Sequence, residues 1–251
     1  MSRLLESTLP VPAHSKIVVI PSSPHWDLLK YLGDICHLLA FAVLILNMHR
    51  RKNCLGVSYR TQELYLVVFI LRYSDIIFAP QPSLWNLFFK LLFLVCTAYS
   101  IYLIRCHRPI SVSYESLMDK FPHRLTILPV SFFLGFLLPD YSVWSLHHPF
   151  FHRIYNTTVV MESMAILPQL SLLRKIREIE IITGTYIFCL GMYKGIYLLS
   201  WIWRVFEQVQ YFSHIYIKLL FGSIQFGFYW EFFINYLKSL REHKSLVTLP
   251  I

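Results

Sequence analysis

Long apolar runs separated by short polar stretches occupy most of the chain. Seven of these runs are long enough to cross about 30 Å of hydrocarbon at roughly 1.5 Å per helical residue. They lie at 28–47, 62–79, 84–104, 124–140, 151–173, 180–203 and 211–237. The pattern predicts seven transmembrane helices, of which the second and fourth are short and carry charge or proline.

An odd number of spans allows the chain to be divided into two similar halves. Helices one to three and helices five to seven would run in the same sense, with the fourth as an inverting connector. Two parallel triplets of this kind occur in small transporters of the sugar-efflux (SWEET/PQ-loop) type. The expected fold is therefore an all-α membrane protein with two parallel three-helix repeats, and the Pro168-Gln169 pair late in span five is a weak pointer to it.

Composition agrees with a membrane protein. The 251 residues are 56% hydrophobic and 17% aromatic, with a mean hydropathy of +0.51, which is far too apolar for a soluble domain of this length. The five cysteines show neither a CxxC motif nor a Cys/His metal spacing. We interpret them as packing residues.

The basic residues predict the orientation of the chain. The segments after spans one, three, five and seven contain four, four, three and three Lys or Arg residues, whereas the opposite loops contain few. Because basic residues accumulate on the cytoplasmic side, the N-terminus is expected in a lumen and the C-terminus in the cytosol. Short clusters of this kind favour topology signals over nucleic-acid binding, so no nucleic-acid partner is expected.

Three regions follow from this topology. Residues 1–25 contain prolines and no long apolar core, and we expect a mobile lumenal extension there. Residues 26–237 would form the seven-helix domain. Residues 238–251 would form a cytosolic tail.

Charged and aromatic residues inside the spans provide the candidate site. In span six, Lys194, Tyr197, Trp201 and Arg204 are spaced three, four and three residues apart and therefore share one helical stripe. Charges on a membrane helix usually face a water-filled cavity or a partner, because a charge at mid-bilayer is costly. This stripe is therefore expected to face a polar interior.

Spans one and two carry further charges. Lys30, Asp34 and His37 share one face of span one, and Arg72 and Asp75 lie in span two. A structural interpretation is also open: a snorkelling Lys30 bonded to Asp34, a packed core histidine, and a buried Arg72–Asp75 ion pair that fixes helix packing.

Span five presents a third such face. His152, Tyr155 and Glu162 share it, and Glu162 could be a protonated, hydrogen-bonded packing residue. Taken over all the spans, however, the charged residues include several cations and only a few acids. The cations are Lys30, Arg72, Lys194 and Arg204.

A cavity with these cations suits a small polyanion that bears carboxylates. Guanidinium binds carboxylate in a bidentate fork, whereas ammonium acts as a point charge. Tyr193, Tyr197 and Trp201 would wall the cavity, with hydroxyls able to bond the ligand or Glu162. His37 is the natural pH sensor there, because histidine titrates closest to neutral pH.

Catalysis has little support in the sequence. The spans contain no Ser-His-Asp order, HExxH motif, Gly-rich phosphate loop or Asp-rich metal motif. We expect no catalytic residue, no metal site and no cofactor, and the chain is not expected to be an enzyme.

Five blocks of the chain carry a resemblance to a known family: LGDICHLLA at 32–40, RKNCLGVS at 51–58, LRYSD at 71–75, ESMAILPQL at 162–170 and LGMYKGIYLLSWIWR at 190–204. They resemble segments of the KDEL receptor family, the ER lumen protein-retaining receptors. The resemblance covers about residues 28–240. It implies a pH-dependent receptor that binds proteins ending in Lys/His-Asp-Glu-Leu in the mildly acidic Golgi and returns them to the neutral endoplasmic reticulum (ER).

The resemblance also implies how the ligand is held. Arg72 would hold the terminal carboxylate, Lys30 and Arg204 the Glu and Asp side chains, and Asp75 the basic first residue. Trp201 would pack on the peptide.

The proton switch is implied in the same way. His37 would take up the proton, and a hydrogen bond between Tyr193 and Glu162 would report closure. The implied partners are the retrieval tetrapeptide, membrane lipid and, through the cytosolic tail, the coat of COPI vesicles. The implied location is the ER and Golgi membrane.

Several positions differ from the family pattern. The family usually has arginine at the two positions where this chain has Lys30 and Lys194. It usually has asparagine where this chain has Ser200, glutamate where it has His152, and tryptophan where it has Tyr155. The peptide preference could therefore shift, or retrieval could be lost in a divergent paralogue that serves as a scaffold. A small-solute transporter of the SWEET/PQ-loop type is a further alternative; the four cations argue against a sugar and leave an anionic solute open.

Overall fold

The computed structural model describes residues 24–74, 76, 84–138, 149–206 and 213–248, and this part of the chain is mainly helical. The elements in order are α1 Pro24–Arg51, α2 Tyr59–Arg72, α3 Leu84–Arg105, a 3₁₀ turn Ile110–Ser113, α4 Ile127–Leu137, α5 Pro149–Met164, α6 Leu167–Ile176, β1 Glu178–Glu180, α7 Ile181–Phe206, α8 Ser213–Arg241 and β2 Leu246–Thr248. The expected leader at 1–25 falls almost wholly outside the described residues.

Three of the described helices are long and apolar enough to cross a membrane. They are Leu28–Arg51, Leu84–Arg105 and Ile181–Phe206, and they coincide with predicted spans one, three and six. Helices α4 and α8 overlap predicted spans four and seven, and α4 is apolar but short. The prediction of an apolar, helical membrane protein is confirmed, whereas the full seven-span topology and its two repeats stay predictions.

The prediction of a single helix over 151–173 is wrong. Two helices, α5 and α6, occupy this region, and Pro168 lies in the first turn of α6. Proline has no backbone N–H and its ring clashes with the preceding turn of a helix, so it suits a helix start better than a helix interior. The backbone N–H of Gln169 is bonded to the Thr61 hydroxyl at 2.9 Å instead.

Gln169 fixes α6 to the segment that precedes α2. Its side chain is fully buried; its Oε1 accepts from the backbone N–H of Ser58 at 2.8 Å, and its Nε2 donates to the carbonyl of Gly56 at 2.6 Å. Both polar ends of the amide are therefore satisfied, as a buried amide requires. Gly56 has a φ of +76°, a conformation that glycine adopts without strain.

Asp119 fixes the loop between α3 and α4 to the start of α2. Its buried carboxylate accepts from the Ser58 hydroxyl at 3.0 Å and from the Tyr114 hydroxyl at 2.8 Å, and the backbone N–H of Arg60 donates to it at 3.3 Å. Burial, and then the bond to Asp119, raises the pKa of Tyr114 above its usual range. This loop is thus a packed part of the protein.

The helices pack in a few dominant pairs. Helix α1 lies along α7, α4 on α5, α8 on α7 and α5, and α2 between α3 and α5. The α4–α5 pair is especially close, since a Cβ on Gly135 would overlap the backbone of Thr157. The packing brings α1, α2, α3, α5, α7 and α8 around a common space.

A short sheet holds the end of the described chain. Strand β2 pairs with β1 in antiparallel register, with Ile179 opposite Val247. Val247 is fully buried, and Arg51 forms an ion pair with Glu180 at 2.5 Å. The region predicted as a tail, 238–251, thus begins as helix up to Arg241 and then docks beside the α6–α7 connection.

Candidate ligand-binding site

Six helices enclose a cavity of about 340 Å³. Most of the side chains predicted for the site line it. These are Lys30, His37, Arg72, Glu162, Tyr193, Lys194, Tyr197 and Trp201.

Of the two other predicted site residues, one does not line the cavity and the other lies outside the described residues. Arg204 lies on α7 three residues beyond Trp201 and is half-buried, but it is not part of the cavity wall. Asp75 lies outside the described residues. The stripe predicted on span six therefore reaches the cavity through Lys194, Tyr197 and Trp201.

Glu162 is the centre of the charged network. Its Oε2 accepts from Nη1 of Arg72 at 2.5 Å, and its Oε1 accepts from Nζ of Lys194 at 2.5 Å. One carboxylate on α5 thus links a guanidinium on α2 to an ammonium on α7. Removing either partner from a buried network of this kind is costly, because it leaves an uncompensated charge.

The Arg72 guanidinium keeps donor capacity beyond this ion pair. Its Nε donates to the Thr158 hydroxyl at 3.1 Å. Its Nη2 is buried, and no group in the described part of the chain accepts a hydrogen bond from it. A buried donor without an acceptor is costly, so a carboxylate entering the cavity would find a ready partner there.

Asp34 and Lys30 take different neighbours within the site. Asp34 accepts from the Tyr197 hydroxyl and from Nε1 of Trp85, the latter at 3.2 Å. Lys30 donates to Oδ1 of Asn86 at 2.6 Å. The carboxylate of Asp34 is therefore held by α3 and α7, and the ammonium of Lys30 is placed by α3.

His37 lines the cavity and is surrounded by aromatic rings, which we call the aromatic box. Its ring stacks on Tyr193 with centroids 3.9 Å apart and planes 9° apart, and Phe93 and Phe41 lie 4.3 and 5.1 Å away. The side chain is buried, and Nε2 has no hydrogen-bond partner in the described residues. A proton taken up here would place a new charge inside the cavity.

The Tyr193 hydroxyl is also without a hydrogen-bond partner among the described residues. The expected bond between Tyr193 and Glu162 is not formed in this structure, where Arg72 and Lys194 hold the carboxylate. Formation of that bond would require Glu162 to exchange partners. The hydrogen bond between Tyr193 and Glu162 stays a prediction.

Sequence reasoning missed two cations of the cavity, Lys90 on α3 and Lys218 on α8. Each is a single lysine inside a long apolar run, LFFKLLF and IYIKLLF. Like Lys194, each is a charged residue inside an apolar run. Neither, however, belongs to a stripe of charges on its own helix. Their contribution depends on how α3 and α8 are turned.

Besides Lys30 and Lys194, three further positions that differ from the family pattern lie in or beside the cavity. Tyr155 lines it, with the Cζ of Arg72 5.7 Å and the Nζ of Lys218 5.2 Å from the centre of its ring. Ser200 also lines it, although its hydroxyl donates to the Tyr197 carbonyl at 2.7 Å. His152 is buried one turn before Tyr155. The described residues contain no group of three or more potential metal ligands.

Comparison with known proteins gives a consistent result. Residues 53–204 match the family model described as ER lumen protein retaining receptor. The chain is 36% identical over 222 residues to an ER lumen protein-retaining receptor of Plasmodium falciparum, which covers 88% of this chain and 96% of the relative. It is 37% identical over 220 residues to receptor B of Arabidopsis thaliana (88% and 98%), and 36% identical over 226 residues to receptor 3 of Xenopus laevis (90% and 99%).

Proposed function

The chain belongs to the ER lumen protein-retaining receptor family, and from this premise we propose that it binds C-terminal retrieval signals of the Lys/His-Asp-Glu-Leu (K/HDEL) type. The resemblance seen in the sequence is thereby confirmed at the level of the family. In the proposed cycle, the receptor takes its ligand in the Golgi and releases it in the endoplasmic reticulum.

One observation carries the proposal. Cations from separate helices, Lys30, Arg72 and Lys194, line one cavity together with Trp201. A peptide end that carries its terminal carboxylate beside Asp and Glu side chains is an anion of matching character. Arg72 would bind the terminal carboxylate through its unused Nη2 donor, and Lys30 would act as a point charge on an acidic side chain.

The rest of the signal would be read around this centre. Trp201 would pack on the peptide, and Arg204 would reach the ligand from the turn of α7 beyond it. Asp75 keeps its proposed role at the basic first residue of the signal. Tyr197 supports the site indirectly, because its hydroxyl holds Asp34.

The pH response is proposed to begin at His37. Protonation would add a positive charge to the aromatic box and favour an anionic ligand in the cavity. A ligand carboxylate on Arg72 would then compete with Glu162, which could accept the Tyr193 hydroxyl instead. Proton uptake and ligand binding would in this way stabilise the same closed state.

The proposed setting is a multi-pass protein of the ER and Golgi membrane. Its N-terminus would face the lumen, because the basic residues are concentrated in the segments on the opposite side. Residues 26–237 would form the receptor domain, built from two parallel three-helix repeats. Membrane lipid would surround the exposed apolar side chains of α1, α3 and α7.

The C-terminal region is the proposed contact for the COPI coat. Lys238, Arg241 and Lys244 are exposed there, and Lys244 pairs with Glu242 at 2.6 Å. Their basic character supports an exposed binding segment. They are scattered, however, and not a dense lysine cluster, so this contact is secondary to ligand binding in the proposal.

Peptide titration tests the proposed function. Purified receptor is titrated with HDEL, KDEL and C-terminally amidated control peptides at mildly acidic and at neutral pH. The expected result is tight binding of the free acids at acidic pH, weaker binding at neutral pH, and loss of binding on amidation. Equal binding of acids and amides would overturn the proposal, and uptake of a small anion into proteoliposomes without peptide binding would support a transporter.

A further inference from the structure

One face of α5 holds the guanidinium of Arg72. Thr158 and Glu162 are four residues apart on this helix and therefore lie on the same face. The Thr158 hydroxyl accepts from Nε of Arg72 at 3.1 Å, and Oε2 of Glu162 accepts from Nη1 at 2.5 Å. The two residues thus hold different nitrogens of the same group.

The Thr158 oxygen is prepared to act as an acceptor. Thr158 is fully buried, and its hydroxyl donates to the backbone carbonyl of Tyr155 at 2.7 Å. A hydroxyl has one proton and two lone pairs, so the proton is used within α5 and a lone pair remains for Arg72. A hydrogen bond from a charged donor to this fixed oxygen is stronger than one between two neutral groups.

Arg72 depends on such contacts for its orientation. It is the last residue of α2, and its side chain is 19% exposed. An arginine side chain has several rotatable bonds and loses much conformational entropy when it is ordered. A fixed acceptor at Nε restricts the orientations that are open to the planar guanidinium.

The two α5 contacts behave differently when a ligand carboxylate enters. A carboxylate binds a guanidinium through two parallel hydrogen bonds, along the edge of Nε and Nη2 or along the edge of Nη1 and Nη2. Nη2 belongs to both edges, and no described group accepts a hydrogen bond from it. In the proposed function the ligand competes with Glu162, whose partner is Nη1. The contact of Thr158 with Nε stays in place during that exchange.

We infer that Thr158 is a positioning residue of the ligand site. It holds Arg72 through Nε, so that the edge of Nη1 and Nη2 is presented to the terminal carboxylate of the ligand. Thr158 acts through Arg72 and does not itself touch the ligand. This inference rests on the proposed function, because it assumes that Arg72 binds the carboxylate.

Substitutions at Thr158 test the inference with a free-acid HDEL peptide at mildly acidic pH. Thr158→Val keeps the shape of the side chain but removes the acceptor, and binding should weaken about tenfold, the lower end of the range for a hydrogen bond to a charged group. Thr158→Ser keeps the hydroxyl, and its affinity should stay within about threefold of the wild type. Thr158→Ala also removes the acceptor and replaces Thr158→Val if that variant does not fold.

A double-mutant cycle with Arg72→Gln separates positioning from a general loss of structure. If Thr158 acts through the guanidinium, Thr158→Val should weaken binding about threefold or less in the Arg72→Gln background. A residue that only supported helix packing would cause the same loss in both backgrounds. The comparison of serine with valine at position 158 requires no change at Arg72.

Thr97→Val is the matched control. Thr97 is also fully buried, and its hydroxyl also donates to a carbonyl of its own helix, that of Phe93 at 2.7 Å. It is not part of the cavity wall. The Thr97→Val variant should bind the peptide as the wild type does.

The outcomes separate the inference from the proposed function. Wild-type affinity in Thr158→Val, or a loss in Thr158→Ser as large as in Thr158→Val, overturns the inference. Equal losses in the wild-type and Arg72→Gln backgrounds also overturn it. In each of these cases the proposed function stands if the wild-type receptor still prefers the free acid to the amide. Equal binding of acid and amide by the wild type overturns the proposed function and the inference with it.

Discussion

The imidazole of His37 lies flat against the phenol ring of Tyr193, with centroids 3.9 Å apart and planes 9° apart. One ring belongs to α1 and the other to α7, the two helices that pack most extensively on each other. Neither Nε2 of His37 nor the Tyr193 hydroxyl has a hydrogen-bond partner among the described residues. A change of charge on the imidazole is thus felt directly at the junction of these helices.

The first prediction concerns the pH response. If binding takes up one proton at His37, affinity for an HDEL peptide increases as pH falls, by at most about tenfold per pH unit. His37→Phe keeps an aromatic ring in the box but cannot take up a proton. Its affinity should be low and nearly independent of pH, as measured by calorimetry at mildly acidic and neutral pH.

His49→Phe is the matched control for this experiment. His49 lies near the exposed end of α1 and contacts the Tyr99 hydroxyl at 2.9 Å. The His49→Phe variant should bind HDEL as the wild type does. A full pH response in His37→Phe would remove His37 from the switch.

The second prediction concerns the terminal carboxylate. Arg72→Gln should weaken binding of a free-acid HDEL peptide by about 1.5–3 kcal/mol, the range for a hydrogen bond to a charged group. Binding of the amidated peptide should weaken much less in Arg72→Gln. Amidation and the substitution should therefore be strongly coupled in a double-mutant cycle.

Arg124→Gln provides the control for Arg72. The Arg124 side chain is 64% exposed and pairs with Glu63 away from the cavity. Like Arg72, it is an arginine and therefore charged at any pH used for binding. Equal losses for the acid and the amide in Arg72→Gln would place the carboxylate elsewhere.

The third prediction concerns the contact between α4 and α5. Gly135→Ala should destabilise the protein by about 1–3 kcal/mol, because the added methyl group would overlap the Thr157 backbone. Backbone cannot move aside as a flexible side chain can. Thermal unfolding of purified protein in detergent measures the effect.

Gly227→Ala is the control for Gly135. Apart from the local backbone of its own helix, no atom of the described residues lies within 4 Å of a Cβ built at Gly227, and alanine has the higher helix propensity. The variant should be as stable as the wild type or slightly more so. Similar stability of Gly135→Ala and Gly227→Ala would contradict the close helix contact.

The fourth prediction concerns the strand near the C-terminus. Val247 is fully buried in the pairing of β2 with β1, so Val247→Asp should detach the strand by placing a charge in an apolar site. Amide hydrogen exchange at Ile179 and at position 247 should then become much faster. Leu246→Asp, at a position 38% exposed, should leave exchange slow, and equal exchange in both variants would argue against the pairing.

Much of the fold could be predicted because membrane helices are local in sequence. The runs at 84–104 and 180–203 coincide within a few residues with α3 and α7. The run at 151–173 was predicted as one helix because its hydropathy is continuous. Pro168 interrupts it, and Thr61 on α2 accepts the backbone N–H that follows; hydropathy carries no information on that contact.

The site was predictable where charges form a pattern on one helix. Lys194, Tyr197 and Trp201 share a stripe, and all three line the cavity. Lys90 and Lys218 stand alone in apolar runs, so no spacing marked them. Their place in the wall follows from the rotation of α3 and α8, which packing sets.

The sequence alone determined that this is an apolar helical protein of the retaining-receptor family with cations inside its membrane segments, because transfer free energy and family motifs are properties of consecutive residues. Only the tertiary structure decided how those charges combine. Glu162 meets Arg72 and Lys194 across 90 and 32 residues of chain, and Lys218 reaches the same cavity from α8. Which charges pair depends on distances of a few ångströms between helices, and those distances are fixed by packing.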